Sequence, residues 1–301
     1  MMRPPSIEAV GRLDGGALEP RGVSVFDRGF LYGDGVFEVL RTYRGAPWRL
    51  EEHLGRLALA ARHVGITVPV SNARWLSEVR DVLEERPRGD DSVLRLALTR
   101  GVAPPGIDPA LASTPTRLTL ATPLPALDAS LYRRGRRAAL LAIDRATRRP
   151  GILSLAGVKS SNYQLHIVAL REAQGRGFDD ALLLSSDGAL LEATSANVFL
   201  VTDGVVRTPP VEDGLLDGIT RAEVLSVARE LGLPTACARL EATDVWRADE
   251  VFLTSSVREL VPVVQVDAHD VGAAVPGPIT RRLHAAYRDR TPLAGAARPW
   301  E

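Results

Sequence analysis

The chain has 301 residues, 45% hydrophobic and 25% charged, the make-up of a globular protein with a real core and room for about two domains. A formal net charge of zero gives no general attraction for nucleic acid, no run is apolar enough to span a bilayer, and the start Met1-Met2-Arg3-Pro4-Pro5 lacks the apolar stretch of a signal peptide. The single cysteine, Cys237, excludes an internal disulfide and fits a reducing cytoplasm, and no cysteine/histidine cluster has metal-ligand spacing, so no metal is expected.

Taken in chain order, residues 23–26 read as a short strand, followed by turn residues Asp27-Arg28-Gly29. Residues 36–43 alternate as a second strand and turn at Arg44-Gly45. Leu54, Leu57, Ala58, Ala61 and Val64 recur at helical spacing and end at Gly65; a second helix runs over 73–85 and stops at Pro87. Strands are expected over 92–99 and 116–121. Pro123, Pro125 and the arginine-rich stretch to Gly135 read as a linker. The clusters Arg133-Arg134, Arg136-Arg137 and Arg145, Arg148, Arg149 read as solvated surface, because acids balance the total.

Beyond the linker come a strand at 138–143 and a helix at 162–173. Four strands follow in succession, at 181–184, 189–192, 198–202 and 205–208, with hairpin turns at Ser186-Asp187-Gly188 and Asp203-Gly204. Thr220-Arg221-Ala222-Glu223 has the form of a capping box opening a helix over 221–231, closed by Gly232. A strand at 250–254 and a helix at 279–287 complete the series.

Lys159 is the only lysine among 37 lysine and arginine residues. Arginine serves as well for an ion pair, but it cannot lose its proton near neutral pH and attack a carbonyl. A retained amine of this kind points to a carbonyl partner, and the aldehyde of pyridoxal phosphate is one. That cofactor needs an acid at its ring nitrogen, and amides, hydroxyls and an arginine at its phosphate. Glu192, at the end of an apolar strand, is a candidate for the ring nitrogen. Leu216-Asp217-Gly218-Ile219-Thr220 leads into a helix whose first amides favour an anion, and Thr254-Ser255-Ser256 offers further hydroxyls. Arg56 lies beside an apolar stripe and can reach inward. Singly, each of these has an ordinary explanation: a water-exposed glutamate, a common helix start, a solvated arginine. Their order around a sole lysine is what distinguishes them.

In that order the chain resembles the class IV aminotransferases, pyridoxal-phosphate enzymes of fold type IV. The resemblance rests on the stretch from Asp27-Arg28-Gly29 to Gly33-Asp34-Gly35-Val36-Phe37-Glu38, on His53-Leu54-Gly55-Arg56-Leu57 and on Thr99-Arg100-Gly101. It continues through Lys159 with Asn162, Glu192 with Asn197 and Phe199, Gly218-Ile219-Thr220-Arg221, and Ala248-Asp249-Glu250 to Ser255-Ser256. It implies an α+β fold of two domains, a smaller α/β N-terminal domain over 1–124 and a larger mixed, β-barrel-like domain over 136–301, joined by the linker 125–135. It also implies that Lys159 binds the cofactor's aldehyde and moves the substrate proton, and that Glu192 holds the pyridine nitrogen. Arg56, Ile219, Thr220, Ser255 and Ser256 would hold the phosphate. A homodimer, with the site between the domains, is the family's habit.

Lys159-Ser160-Ser161-Asn162 has the spacing of D-amino-acid aminotransferases and 4-amino-4-deoxychorismate lyases; branched-chain enzymes place the asparagine one residue further on. The arginine and histidine with which D-amino-acid enzymes trap the substrate carboxylate are missing from Gly101-Val102-Ala103-Pro104-Pro105-Gly106. Arg41 and Arg95, with Phe37, are the substitute substrate-side residues. The expected reaction is ping-pong transfer between an amino acid, of the D series, and a 2-oxo acid. Release of pyruvate as a lyase is the alternative, since Leu253-Thr254-Ser255-Ser256-Val257-Arg258-Glu259 resembles the lyase motif, and branched-chain transamination ranks below both. A non-catalytic nucleotide-binding protein fits worse, because Val158 stands where a phosphate loop ending at Lys159 needs glycine.

Overall fold

The structure, a computed structural model, describes residues 9–17, 22–87, 89–144, 154–273 and 275–296. It divides into two compact units, residues 1–125 with 158–162, and residues 126–157 with 163–301.

The first unit is built on β1 (Val10–Leu13), β2 (Gly16–Ala17), β3 (Gly35–Tyr43), β4 (Ala46–Pro47), β5 (Ser92–Thr99) and β6 (Thr116–Pro123). They form one antiparallel sheet in the order β2-β1-β6-β5-β3-β4. Along β5, Leu94, Leu96 and Leu98 are fully buried while Arg95 between them is exposed, the period of two that a sheet with one covered face requires. The cover is α2 (Leu50–His63) and α3 (Asn72–Glu84). Leu54 and Leu57 of α2 and Trp75, Val79 and Val82 of α3 share one core with the β5 leucines. Each such side chain contributes about 1.5–3 kcal/mol by leaving water. The Trp75 indole N–H donates to Thr119 Oγ1 at 3.0 Å, so its polar edge is satisfied inside the core.

The strand expected at 23–26 is absent. Val25 and Phe26 are exposed, so no half-buried face exists to pair, and the Asp27 N–H instead closes a turn onto the Ser24 carbonyl. Asp27 then caps a short helix, α1 (Arg28–Tyr32), its carboxylate accepting from the Gly29 N–H at 2.8 Å.

The second unit contains α4 (Ser130–Arg134), β7 (Arg136–Ala142), α5 (Gln164–Gly175), β8 (Asp180–Leu184), β9 (Leu190–Ala193), β10 (Asn197–Thr202) and β11 (Val205–Thr208). Then come α6 (Ile219–Glu230), β12 (Thr235–Cys237), α7 (Ala242–Trp246), β13 (Glu250–Ser255), β14 (Glu259–Val266), β15 (His269–Asp270) and α8 (Pro278–Asp289). The strand order is β12-β11-β10-β13-β14-β7-β8-β9, with β15 on β14. The pairs β11–β12, β14–β7 and β7–β8 are parallel and the rest antiparallel.

Only Thr194, Ser195 and Ala196 separate β9, at one edge of this sheet, from β10, near the other. The sheet must therefore curl into a half barrel. Leu182, Leu190 and Ala193 from one side of the curl and Val198, Leu200 and Leu253 from the other meet in one buried cluster. This is the α+β architecture that the motifs imply.

Several elements escape the sequence reading, and two of them show why. The stretch read as linker carries α4, whose Tyr132 is 2% exposed. Strand β14 escapes the sequence reading because it contains Pro262, which cannot donate to a ladder. The sheet accommodates the proline with a register shift between Val263 and Gln265, where β14 meets β7. Of the arginine clusters, Arg145, Arg148 and Arg149 lie outside the described residues.

Candidate active site

Lys159 is reached through the backbone of β3. The Lys159 carbonyl accepts from the Phe37 N–H at 3.0 Å, and the Ser161 N–H donates to the Gly35 carbonyl at 2.8 Å. Ser160 forms a bridge with Val36. The segment is thus a short added rung on the strand edge, which fixes where the lysine side chain starts. Gly35 is needed for the approach: a Cβ there would stand 2.9 Å from the Leu98 carbonyl oxygen and 3.2 Å from Ser161 Oγ. Lys159 Nζ lies 4.7 Å from the centre of the Phe37 ring, and the Arg95 guanidinium lies 4.1 Å from the same ring. The register Phe37↔Ala97 and Val39↔Arg95 makes Phe37 and Arg95 diagonal neighbours on one face of the sheet. Three of the residues singled out from the sequence, Lys159, Phe37 and Arg95, are therefore together.

Arg41 is not with them. Its guanidinium faces Asp91 at 3.6 Å, packs 4.3 Å from the Tyr43 ring and donates to the Thr42 carbonyl. These contacts hold the far end of β3, and the residue is 5% exposed. Within this unit it therefore stands at the Asp91 end of β3, apart from Lys159, Phe37 and Arg95.

Arg56 has a partner that the sequence reading does not assign. Glu38, fully buried on β3, accepts from Arg56 Nε and Nη2, each at 2.7 Å, in a two-point pair, and lies 2.7 Å from His53 Nδ1. Burial pushes the Glu38 carboxyl up, but Arg56 and then His53 outweigh it and hold the pKa down to about 2. Burial lowers the His53 pKa; Glu38 opposes this, and the positive charges of Arg56 and Lys159 add to it. The imidazole is therefore neutral at pH 7 and donates Nδ1–H to the carboxylate. Glu38 fixes the direction of Arg56 and balances its charge. Alternation along β3 and the helical register of α2 place all three residues together.

The Asp27-Arg28-Gly29 and Thr99-Arg100-Gly101 motifs are structural supports. Asp34 accepts from Arg28 at 2.9 Å and Arg100 at 2.8 Å, and Arg28 also holds the carbonyls of Gly106 and Ile107. Burial raises the Asp34 carboxyl, yet the two guanidiniums bring it below its usual range.

In the second unit, Glu192 and Asn197 flank the β9–β10 turn and hold one loop from two sides. The Leu216 N–H donates to the Glu192 carboxylate at 3.1 Å, and the Asn197 side-chain amide donates to the Leu216 carbonyl at 2.8 Å. Glu192 is 8% exposed. Gly218 follows, and a Cβ there would lie 1.9 Å from Asn197 Oδ1, so no other residue fits this approach. The loop delivers α6, which opens at Ile219 rather than after a Thr220 cap. Gly218 is the N-cap, no side chain caps the first turn, and Glu223 pairs with Arg290 at 3.0 Å instead of closing a capping box. The amides of Ile219 and Thr220 thus stand at a helix start without a side-chain acceptor, where an anion is favoured.

Thr254 pairs in register with Asn197 across β10 and β13. Its hydroxyl is buried and has no hydrogen-bond partner among the described residues. Ser255 ends β13 and Ser256 opens the turn after it, and Ser255 Oγ accepts from the Arg258 N–H at 3.3 Å. A carboxylate, an uncapped helix start, an orphaned hydroxyl and a glycine cradle are the donor set that a phosphorylated pyridine ring needs. Asn197, to which the sequence alone gives no role, positions the loop for the rest. Its signal is the close Gly218 approach, which only coordinates reveal.

Among the described residues no group of three or more histidine, cysteine or acidic side chains could hold a metal, and no helix is long and apolar enough to cross a membrane.

The family model "Amino-transferase class IV" matches residues 35–266. A "Putative branched-chain-amino-acid aminotransferase" of Methanocaldococcus jannaschii is 37% identical over 89% of this chain and 90% of its own. The D-alanine aminotransferase of Bacillus licheniformis is 33% identical over 89% of this chain and 91% of its own. Among solved structures, the Escherichia coli branched-chain amino acid aminotransferase superposes with a TM-score of 0.85 at 28% identity, covering 92% of this chain and 93% of its own. A second branched-chain amino acid aminotransferase, from T.th. and complexed with N-(5'-phosphopyridoxyl)-L-glutamate, superposes with a TM-score of 0.87 at 27% identity over 98% of both chains.

Proposed function

The chain belongs to the class IV aminotransferases, and from that membership we propose that it moves an amino group between a D-amino acid and a 2-oxo acid in a ping-pong cycle. It is a pyridoxal-phosphate-dependent enzyme. When bound, that cofactor supplies an aldehyde for an amine and a protonated ring that draws electrons from the substrate carbon. The observation that carries the reading is the placement of the chain's one lysine, its backbone fixed to β3 and its Nζ over Phe37.

Lys159 presents Nζ as the amine that holds the aldehyde, and the same atom takes and returns the substrate proton. Glu192 keeps the ring nitrogen protonated by offering a carboxylate inside the fold. Arg56, aimed by Glu38, is assigned to the phosphate, and within the second unit the Ile219 and Thr220 amides and the Ser255 and Ser256 hydroxyls are assigned to it as well. Arg95, exposed beside Phe37, takes the substrate carboxylate; Arg41 is engaged with Asp91. A homodimer is the working state, supported by the exposure of Val25, Phe26, Phe30, Val102 and Ile107 in the first unit, and a reducing cytoplasm fits the single cysteine.

The D series is favoured by the Lys159-Ser160-Ser161-Asn162 spacing. The 37% identical relative, named as a putative branched-chain-amino-acid aminotransferase, favours branched-chain amino acids as a second reading. The 253–259 motif keeps pyruvate release from aminodeoxychorismate as a third. A half-reaction screen of D- and L-amino acids, followed through the cofactor's near-visible absorption, tests all three. Conversion by D-alanine or D-glutamate but not L-leucine supports the proposal. Conversion by L-leucine or L-valine alone replaces it with the second reading, and inertness to every amino acid with pyruvate release from aminodeoxychorismate replaces it with the lyase.

A further inference from the structure

Arg258 sits in the turn between β13 and β14, two residues after Ser256. Its backbone is held at both ends. The N–H donates to Ser255 Oγ at 3.3 Å, and the carbonyl accepts from the Tyr132 hydroxyl of α4 at 3.0 Å. The next residue, Glu259, takes a left-handed φ of 59°, a conformation that non-glycine residues rarely adopt. Its buried carboxylate bonds the His284 imidazole of α8, with Arg288 Nε at 3.9 Å. The turn is thus braced from two helices, and Arg258 projects from a fixed base.

Among the described residues the side chain has no carboxylate to pair with. Arg258 Nη2 donates to the Ser195 hydroxyl at 2.7 Å, a neutral partner. The acid in electrostatic reach is Asp180, and that group is already shared: it accepts from the Thr194 hydroxyl and from Arg136 Nη1 at 3.4 Å. Two guanidiniums therefore stand against one carboxylate. Burial, and then the charge of Arg136, pull the Arg258 pKa down from its usual value, with Asp180 and Tyr132 offsetting part of this. A desolvated cation without a counter-ion is costly unless an anion arrives to meet it.

Its place says which anion. Ser195 lies in the turn bounded by Glu192 and Asn197, Ser256 shares Arg258's own turn and Ser255 ends the strand before it, so the guanidinium borders residues assigned to the cofactor. Ser195 is exposed, so a ligand from solvent can reach its partner. Resting on the aminotransferase reading above, we propose that Arg258 is a substrate-binding residue whose guanidinium takes a carboxylate of the amino acid or 2-oxo acid. The uncompensated charge is the reason an arginine occupies the turn.

The test compares the wild-type holoenzyme with Arg258→Met and Arg258→Lys. Calorimetry measures binding of two unreactive carboxylates, propionate and glutarate; kinetics measure KM and kcat for pyruvate and 2-oxoglutarate; fluorescence titration measures cofactor affinity. Loss of one charged two-point contact should weaken carboxylate binding and raise KM by about tenfold to a hundredfold in the methionine variant, with partial recovery in the lysine variant and unchanged cofactor affinity. Weakened glutarate alone assigns the substrate's distal carboxylate to Arg258 and leaves the one next to the reacting carbon to Arg95, whereas weakening of both probes makes Arg258 share that carboxylate with Arg95. Unchanged probe binding and KM overturn the proposal, as does a loss confined to cofactor affinity, which would make the cofactor phosphate the anion. Should the methionine variant not fold, Arg258→Gln is read in the same way. A pyridoxyl adduct mapped to Lys159 in each variant separates failure of this proposal from failure of the aminotransferase reading.

Discussion

Glu38→Gln is the perturbation whose size the structure allows to be worked out. The carboxylate is 0% exposed and takes two hydrogen bonds from Arg56, whose side chain is 16% exposed. Its pKa falls from an ordinary 4.5 to about 2 on folding. Each unit is worth about 1.4 kcal/mol, so the ionised group contributes roughly 3 kcal/mol above pH 4.5. Because the folded-state pKa is the lower one, this contribution fades as pH falls toward 2; about half of it remains at pH 3. The glutamine variant keeps the shape, loses the charge and leaves Arg56 uncompensated, a change that costs about 3–5 kcal/mol for a buried pair. Thermal denaturation at pH 7 should show Tm lower by roughly 10 °C in the variant, and the gap should narrow as both proteins are taken to pH 3. An unchanged Tm at pH 7, or a gap that does not shrink with acid, would refute this account of the Glu38–Arg56–His53 cluster.

Four further substitutions probe the proposed roles. Gly218→Ala places a Cβ within 1.9 Å of Asn197 Oδ1, so the loop before α6 must move; cofactor affinity by fluorescence titration should drop at least about tenfold with the fold retained. Glu192→Gln keeps the Leu216 contact but removes the charge, and stopped-flow should show the amino-acid half-reaction slower by about a hundredfold. Arg95→Met should raise KM for the 2-oxo acid by about a hundredfold, whereas Arg41→Met should lower thermal stability and leave KM unchanged; the reverse pattern would exchange their roles.

Periodicity is the strongest signal in the chain. It bounds β5 over Ser92–Thr99, because Leu94, Leu96 and Leu98 alternate with partly exposed neighbours, and it finds α2, because Leu54, Leu57 and Ala61 share a stripe facing that sheet. Helix α5 follows from the same rule, although Leu165, Ile167 and Val168 remain exposed within this chain. Local chemistry with two outcomes misleads. Val23 to Phe26 has strand-forming residues, but the following aspartate caps a helix. Thr220 and Glu223 fit a capping box, but Gly218 starts the helix first, and a box does form at Glu241 and Asp244 on α7.

For the site, residue types are legible and partners are not. Lys159 announces itself by being alone, since no arginine can replace a reactive amine. Glu192 stands out as a charge in an apolar strand. The Glu38–Arg56 pair joins residues on a strand and a helix, and the Glu192–Leu216 contact joins a strand to a loop 24 residues further on. Such distances in sequence are set by the fold, and no pattern within either segment carries them. The missing counter-ion of Arg258 belongs to the same class, because only coordinates show that Asp180 is already taken.

The central claim is that the Lys159 amine holds the cofactor's aldehyde. Purified enzyme loaded with pyridoxal phosphate, reduced with borohydride, digested and mapped by mass spectrometry should carry a phosphopyridoxyl group on the peptide containing Lys159, and Lys159→Arg should carry none. Reduction that leaves this peptide unmodified would contradict the claim.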